Sequence, residues 1–250
     1  FDLVVGADGL HSNVRALAFG PEDRFEKFLH YGVAAFEAQG YGPRDEDVYV
    51  MHGKPGVMLA RFAMRDDRTL ILFVFRDDAG AAAAAREAAQ QKALLRERFH
   101  DVGWEGEAIL AALDVTHDLY FDRISQIRMR SWSRGRVVLV GDAAFCASLM
   151  AGQGAALAMT AAYVLAGELL KAEGGYGAAF ASYEALLRPY VELKQEGAEK
   201  FGGAFAPRTR LGIAVRNMVI NATAIPGVAR IAFGREMIDT LVLPEYTWPP

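Results

Sequence analysis

Cysteine is almost absent from this sequence: Cys146 is the only one in 250 residues. A single thiol excludes an internal disulfide framework, so nothing calls for an oxidising compartment and a cytoplasmic location is the expectation. No apolar run approaches the roughly eighteen residues of a membrane span, and no integral membrane segment is expected. A strong excess of one charge is also lacking. The formal net charge is −4, which gives no reason to expect a nucleic-acid partner. His11, His30, His52, His100 and His117 are scattered without metal-ligand spacing, so each reads as a surface or satisfied core histidine and no metal is expected. Neither a Gly-x-Ser-x-Gly elbow nor a phosphate-binding loop occurs. The opening residues, "FDLVVGADG", are neither a signal peptide nor a natural translation start.

What is present is globular in composition, 52% hydrophobic and 23% charged, enough for one large domain or two small ones. Phe1 to Val5 is a short apolar run stopped by Gly6, which suits a buried strand of a parallel sheet, and Ser12 to Leu17 starts a helix. Between Phe28 and Phe75 lie strand-length pieces rich in Val, Tyr and Phe. Gly-Pro, Lys-Pro-Gly and Arg-Asp-Asp-Arg turn signals separate them, which predicts an antiparallel sheet. Helices are predicted over Ala79 to Phe99 and Glu105 to Leu113, followed by the extended segment "DLYFDRISQIRMRSW". A strand at Val137 to Val140 and a helix from about Gly152 to Ala172 come next. "YGAAFASYEALLRPYVELKQEGAEKF" then reads as a long amphipathic helix containing Pro189. The last fifty residues are apolar-helical, with a break at Pro226 and Gly227.

The order of these pieces sets the fold class. Two strand–turn–helix units of parallel-sheet character flank an antiparallel insertion, as in a partial Rossmann-like α/β domain interrupted by a sheet that can cover a ligand. The expected division is 1–25 and 121–190 for the α/β domain, 26–120 for the antiparallel insertion, and 191–250 for C-terminal helices.

The two turns carry the chemistry. Gly6-Ala7-Asp8-Gly9 leads into Leu10-His11-Ser12-Asn13-Val14-Arg15. Gly141-Asp142-Ala143-Ala144 is followed by Gly152-Gln153-Gly154. At the carboxyl end of a parallel strand, an aspartate can accept hydrogen bonds from ribose hydroxyls or hold a water against a phosphate. Glycines let the backbone approach closely and leave N–H groups free at a helix start, where the dipole suits a pyrophosphate. Either turn alone reads first as plain strand-end structure, with Asp8 as a cap for the helix after it.

Taken together, in this order and separation, they resemble the FAD-dependent aromatic hydroxylases, the para-hydroxybenzoate hydroxylase-like flavoprotein monooxygenases. "DLVVGADGLHSNVR" is similar to that family's Asp-Gly motif, and "GRVVLVGDAAFCASLMAGQGAALA" to its Gly-Asp motif and following helix. The resemblance implies FAD as cofactor, NAD(P)H as reductant and O2 as co-substrate. It implies that Asp142, in the turn with Gly141, binds ribityl or ribose hydroxyls near the pyrophosphate. Gly152, Gln153 and Gly154 would present a helix start to the isoalloxazine and pyrophosphate. Asp8 and Gly9 would lie on the pyrophosphate side and help couple FAD and NADPH binding. Arg15 closes the first motif, where a salt bridge and a contact with cofactor or NADPH are equally open. Family members usually carry His at the position of Phe145 and Pro at that of Leu149. The second change is expected to loosen a segment beside the flavin ring. Cys146 reads as a small packing residue rather than a nucleophile.

The family also begins with a strand–Gly-x-Gly-x-x-Gly–helix unit that cradles the ADP half of FAD. None is found here, since the glycines at 202, 203 and 212 lack a preceding strand. A segment of about 150 residues is therefore expected upstream, whether cleaved off, left out of this sequence or carried on another polypeptide.

The antiparallel insertion supplies Phe36, Tyr49, Met51, Met58, Phe62, Phe73 and Phe75. Alternate members of each strand are expected to share one face and wall an apolar pocket, with Phe36, Tyr49, Met58 and Phe73 as candidate substrate contacts. Asp66/Asp67 and Asp77/Asp78 read as solvated turn carboxylates. "RTRLGIAVRNMVINATAIPGVARIAFGR" reads as helix docked on its own domain. The activity implied is hydroxylation of a small aromatic or polyketide-like molecule through a flavin C4a-hydroperoxide. That chemistry is mainly the cofactor's and requires no acid–base triad. A reductase or other non-hydroxylating flavoenzyme, or a non-catalytic fragment without the ADP half of the site, stays open as an alternative.

Overall fold

The computed structural model describes residues 1–42, 45, 48–222 and 241–247. In chain order the elements are β1 (Val4–Gly6), α1 (Asn13–Phe19), β2 (Glu26–Gln39), β3 (Tyr49–Lys54), β4 (Val57–Ala63) and β5 (Arg68–Arg76). Then come α2 (Ala81–Ala84), α3 (Ala88–Phe99), α4 (Gly106–Val115), β6 (Tyr120–Ile127), β7 (Ser133–Arg134) and β8 (Val137–Leu139). Last are α5 (Asp142–Phe145), α6 (Gly154–Lys171), α7 (Tyr176–Phe205) and α8 (Arg210–Ala222). The chain divides into two compact units: Phe1–Phe28 with Ser125–Lys200 and residues 241–247, and Leu29–Ile124 with residues 201–222. The predicted break at Pro226 and Gly227, and the second half of the basic-apolar stretch, lie outside the described residues.

In the first unit β1 and β8, more than a hundred residues apart, pair in parallel with Val4 opposite Val137 and Gly6 opposite Leu139, while β7 runs antiparallel to β8. Gly6 has no room for a side chain. A Cβ there would stand 2.6 Å from the Leu139 side chain and 2.9 Å from Val14, so the glycine is what lets α1 follow β1 so closely. Val4 and Val5 are 39% and 49% exposed in this chain, where β8 is the described neighbour of β1. Tyr183 of α7 donates its hydroxyl to the Leu139 carbonyl and packs on Trp132, whose ring in turn meets Phe145 at 4.4 Å between centroids. Ala179, Phe180, Tyr183, Leu187, Val191 and Ala198 form the buried line of α7 at helical spacing, and the helix continues through Pro189. By length and composition α6 qualifies as a membrane-crossing helix, which amends the reading that no run approaches that length. Leu157, Ala161, Val164 and Leu165 on one side of it are buried in this unit.

The second unit is a five-stranded sheet in the order β3-β4-β5-β2-β6. Two hairpins have the turns their residues demand. Pro55-Gly56 links β3 to β4 with Gly56 at φ 83°, and Asp66 and Asp67, both in the left-handed region, link β4 to β5. Register then fixes the faces. Phe36 pairs with Ile71, Phe73 with Leu59 and Val57 with Phe75, so these residues share one face and join Leu95, Phe99, Ile109 and Leu113 of α3 and α4 in the core. Buried Arg61, on that same face, holds Glu105 at the start of α4 through Nε at 2.7 Å and Nη2 at 3.1 Å. The helix expected over Ala79–Phe99 is two helices, because a capping box between Glu87 and Gln90 starts α3 afresh. Asp77 is corrected from a solvated carboxylate to a buried cap: its oxygens accept the Ala81 and Ala82 N–H groups at 2.6 and 2.8 Å. Asp78 beside it is exposed, as expected.

Gly32 carries the tightest contact of this core, since a Cβ there would lie 2.2 Å from the buried Phe75 ring. Gly32→Ala is expected to lower the unfolding free energy by about 1–3 kcal/mol. Urea denaturation measures it, and adding Phe75→Leu should return part of that loss. If Gly32→Ala cost nothing, the packing described here would be wrong.

Candidate functional site

Both glycine–aspartate turns stand at the carboxyl ends of the paired strands β1 and β8, in the first unit. Asp8 is bonded inside its own loop: Oδ1 accepts from the Ser12 hydroxyl at 2.5 Å and Oδ2 from the Val14 N–H at 3.1 Å. Burial opposes ionisation of Asp8, but these bonds outweigh it and hold the carboxyl below its usual range. Ser12 in turn caps α1 through the Arg15 N–H at 2.9 Å. Gly9, at φ 82°, takes a backbone conformation that a side chain resists.

Of the two roles left open for Arg15, the structure draws the salt bridge. Arg15 is 0% exposed, and its guanidinium donates to the Leu10 carbonyl at 2.6 Å, the Ala143 carbonyl at 3.0 Å and Glu22 at 2.5 Å. The Ala143 bond spans 128 residues and ties the first turn to the second. The residue positions the two turns from beneath.

Asp142 opens α5, with Gly141 before it at φ 62° and so close to α6 that a Cβ would meet Ala158 at 3.0 Å. Among the described residues no cation forms an ion pair with its carboxylate. Burial raises its pKa, relieved in part by the Cys146 thiol. The same burial, with Asp142 adding to it, pushes Cys146 up to about 12, which leaves a packing thiol and not a nucleophile. Gly154 begins α6 alongside, where a Cβ would lie 3.9 Å from Asp142 Oδ1. No side chain caps α6, and the Gln153 Oε1 atom just before it is buried without a partner.

These three features test the fit of a flavin nucleotide. Asp142 needs hydroxyl donors, Gln153 Oε1 needs an N–H or O–H donor, and the first N–H groups of α6 favour an anion. Ribityl hydroxyls, a flavin ring N–H and a pyrophosphate are groups of those kinds. The residues therefore fit FAD.

Two departures from the family pattern have structural accounts. Phe145, where His is usual, is buried against Trp132. Leu149, where Pro is usual, is 52% exposed. The segment expected to loosen is instead a 3-10 turn over Leu149–Ala151, capped by the Ser148 hydroxyl on the Met150 N–H at 3.1 Å. Ser148 holds φ 90° and ψ 150°, a region that favours glycine.

Sequence reasoning missed the latch behind the second turn. Buried Gln195 of α7 donates to the carbonyls of Ile127, Phe145 and Cys146 at 2.9, 3.3 and 3.2 Å. Buried Gln126 donates to Ala147 and Gln195 carbonyls at 3.2 and 2.8 Å. The available signal was a glutamine on the apolar line of a predicted helix.

The four candidate substrate contacts do not share a face. Phe36 and Phe73 are corrected to core residues under α3 and α4. Tyr49 and Met58 are on the opposite face, with Met51, Ala60, Phe62, Leu70 and Leu72. There Met58 is buried, while Tyr49 and Phe62 are 43% and 38% exposed.

Comparison with known proteins agrees with this geometry. The family model described as an FAD binding domain matches residues 2–194. A flavin-dependent monooxygenase of an unidentified prokaryote is 38% identical over 196 residues, covering 78% of this chain and 50% of its own. The FAD-dependent monooxygenase asL6 of Sarocladium schorii is 32% identical over 259 residues, covering 98% and 60%. The crystal structure of tetracycline destructase Tet(55) superposes with a TM-score of 0.80 at 32% identity, over 98% of this chain and 63% of that one. The chain thus spans about half to two-thirds of the length of such relatives. On its motifs, its fold and the extent of the match, the chain belongs to the FAD binding domain family of aromatic hydroxylase-like flavoproteins.

Proposed function

We propose that this chain is the larger part of an FAD-dependent monooxygenase that draws electrons from NAD(P)H and hydroxylates a small aromatic or polyketide-like molecule. The observation that carries the reading is Asp142, a partly buried carboxylate with no ion pair among the described residues, beside an uncapped helix start and a Gln153 oxygen without a described partner. FAD, when bound, supplies the redox chemistry and the activation of O2. The protein's share is placement. Asp142 holds hydroxyls of the cofactor, Gly152 to Gly154 offer backbone N–H groups, and Asp8 and Gly9 shape the neighbouring turn. Arg15 fixes both turns in register. The exposed rings of Tyr49 and Phe62, with Met51 and Met58 on their face, offer an apolar surface for the substrate.

Two tests apply. Purified protein reconstituted with FAD should turn yellow, oxidise NADPH and place one atom of 18O2 in the product, and the tetracycline destructase neighbours make tetracycline the first compound to try. NADPH oxidation with no oxygen in any product would support the reductase reading, and protein that stays colourless after FAD addition would support the non-catalytic one. Within the sheet, Phe62→Ala should raise KM about tenfold, a loss of the size expected for one buried aromatic contact of about 1.5 kcal/mol, with little change in stability. An unchanged KM in Phe62→Ala would remove this face from the substrate site.

A further inference from the structure

The first unit also contains a cleft of about 440 Å³ that no part of the flavin reading uses. Four arginines line it, Arg24, Arg128, Arg130 and Arg134, together with the rings of Phe19 and Phe25, and no Asp or Glu is among its lining residues. In a protein of net charge −4 this is a local concentration of positive charge. Arg128 is partly neutralised by Glu199 at 2.5 Å, and Arg134 donates to the Ala18 carbonyl at 2.8 Å. The guanidinium groups of Arg24 and Arg130 make no ion pair or hydrogen bond with another described residue, although the Arg130 carbonyl accepts from Arg188, and both residues are exposed. Guanidinium groups gathered in a concave site, with free planar donors, match the oxygens of a phosphate. A volume within the range of small-ligand sites leaves room for more than a single ion.

The cleft's place in the fold separates it from the flavin turns. α1 starts beside the first turn and ends at Phe19, while Arg134 pairs with Val137 at the beginning of β8. The cleft is therefore at the amino ends of the parallel strands, and Gly6 and Gly141 are at the carboxyl ends. Arg128 is the lining residue nearest the second turn, through Gln126, whose Oε1 it holds and whose Nε2 donates to the Ala147 carbonyl.

We propose that this cleft is a second, phosphate-binding site, which takes a small ligand bearing a phosphate or pyrophosphate, with the rings of Phe19 and Phe25 against its organic part. The site does not depend on the monooxygenase reading.

Calorimetric titration of the full chain with inorganic pyrophosphate at low salt is the test. Saturable one-site binding is expected, weakening steeply as NaCl rises. Arg24→Ala combined with Arg130→Ala, both exposed positions whose change should leave the melting temperature in place, should weaken it at least tenfold. Gly154→Asp, which sets a carboxylate at the start of α6 and so repels an anion at the flavin turns, should leave it as it was, and so should Arg208→Ala with Arg210→Ala, which lie on the other unit. Absence of saturable binding, or a titration that the Arg24/Arg130 pair leaves untouched, overturns the proposal. Equal loss in the Gly154→Asp variant would move the binding to the flavin turns, and equal loss in the Arg208/Arg210 variant would reduce it to general charge attraction. Either result overturns it as well.

Discussion

Arg15→Met lowers the unfolding free energy by about 3–5 kcal/mol, the range for removing one partner of a buried ion pair. Methionine retains much of the side-chain bulk but none of the donors. The carbonyls of Leu10 and Ala143 and one oxygen of Glu22 lose the guanidinium at once. Arg15→Lys should recover only part of the loss, because one ammonium cannot reach three acceptors in the directions a planar fork does. Glu22→Gln should cost much less. Glu22 is partly solvated, and the Arg15 bonds to the two carbonyls survive. Urea denaturation of the three variants gives the order directly. A loss below about 1 kcal/mol for Arg15→Met would mean that the two turns are not held through this residue.

Asp142→Asn weakens FAD binding by about ten- to a hundredfold, the equivalent of about 1.5–3 kcal/mol for a hydrogen bond to a charged acceptor. Titration followed by flavin fluorescence measures it. The same change has the opposite effect on the protein without cofactor. Burial raises the folded-state pKa of Asp142 above its unfolded value. Its contribution to stability is therefore complete below the unfolded carboxylate pKa and is lost as pH rises through the folded one. At neutral pH the ionised carboxylate, with only the Cys146 thiol to offset its partial burial, is a burden that asparagine removes. Thermal melts should place the variant above the parent at pH 7 and bring the two together as the pH falls through the range where Asp142 protonates. A gap that does not change with pH would mean that partial burial does not raise the pKa of Asp142. Tighter FAD binding in Asp142→Asn would remove it from the cofactor site.

The parts legible in the sequence were those where residue type leaves the backbone little choice. Gly6, Gly9, Gly141 and Gly152 stand where a close approach or a positive φ demands glycine, and β-branched residues before two of them mark the paired strands. The 3.6-residue period of α7 remained readable through Pro189 because its buried line is long. Direction was not legible. Alternation showed that the inserted strands have two faces, yet nothing in Phe36 or Tyr49 tells which face α3 and α4 will cover. Asp77 and Asp78 are chemically identical neighbours, and only the path of the chain into α2 makes one a buried cap. Arg15 reads as a ligand contact or an internal tie with equal ease until its three acceptors converge on it. Gln126 and Gln195 belong to no motif, since their value lies in carbonyls contributed by distant segments.

The bond from Arg15 to Ala143 closes a loop of 128 residues, and most of that loop is a unit with a core of its own. This bears on the order of assembly. The strands that shape the cofactor turns cannot pair until the chain has been made past Val137, and by then the inserted sheet has all its strands available. Closing a long flexible loop costs entropy that grows slowly with its length, and a loop already folded into a compact body brings its ends together more readily than a loose one. On this topology the inserted sheet is expected to fold before the turns come together. A change such as Gly32→Ala, far along the chain from Asp142, should slow the appearance of flavin-binding competence during refolding even where the final structure is reached.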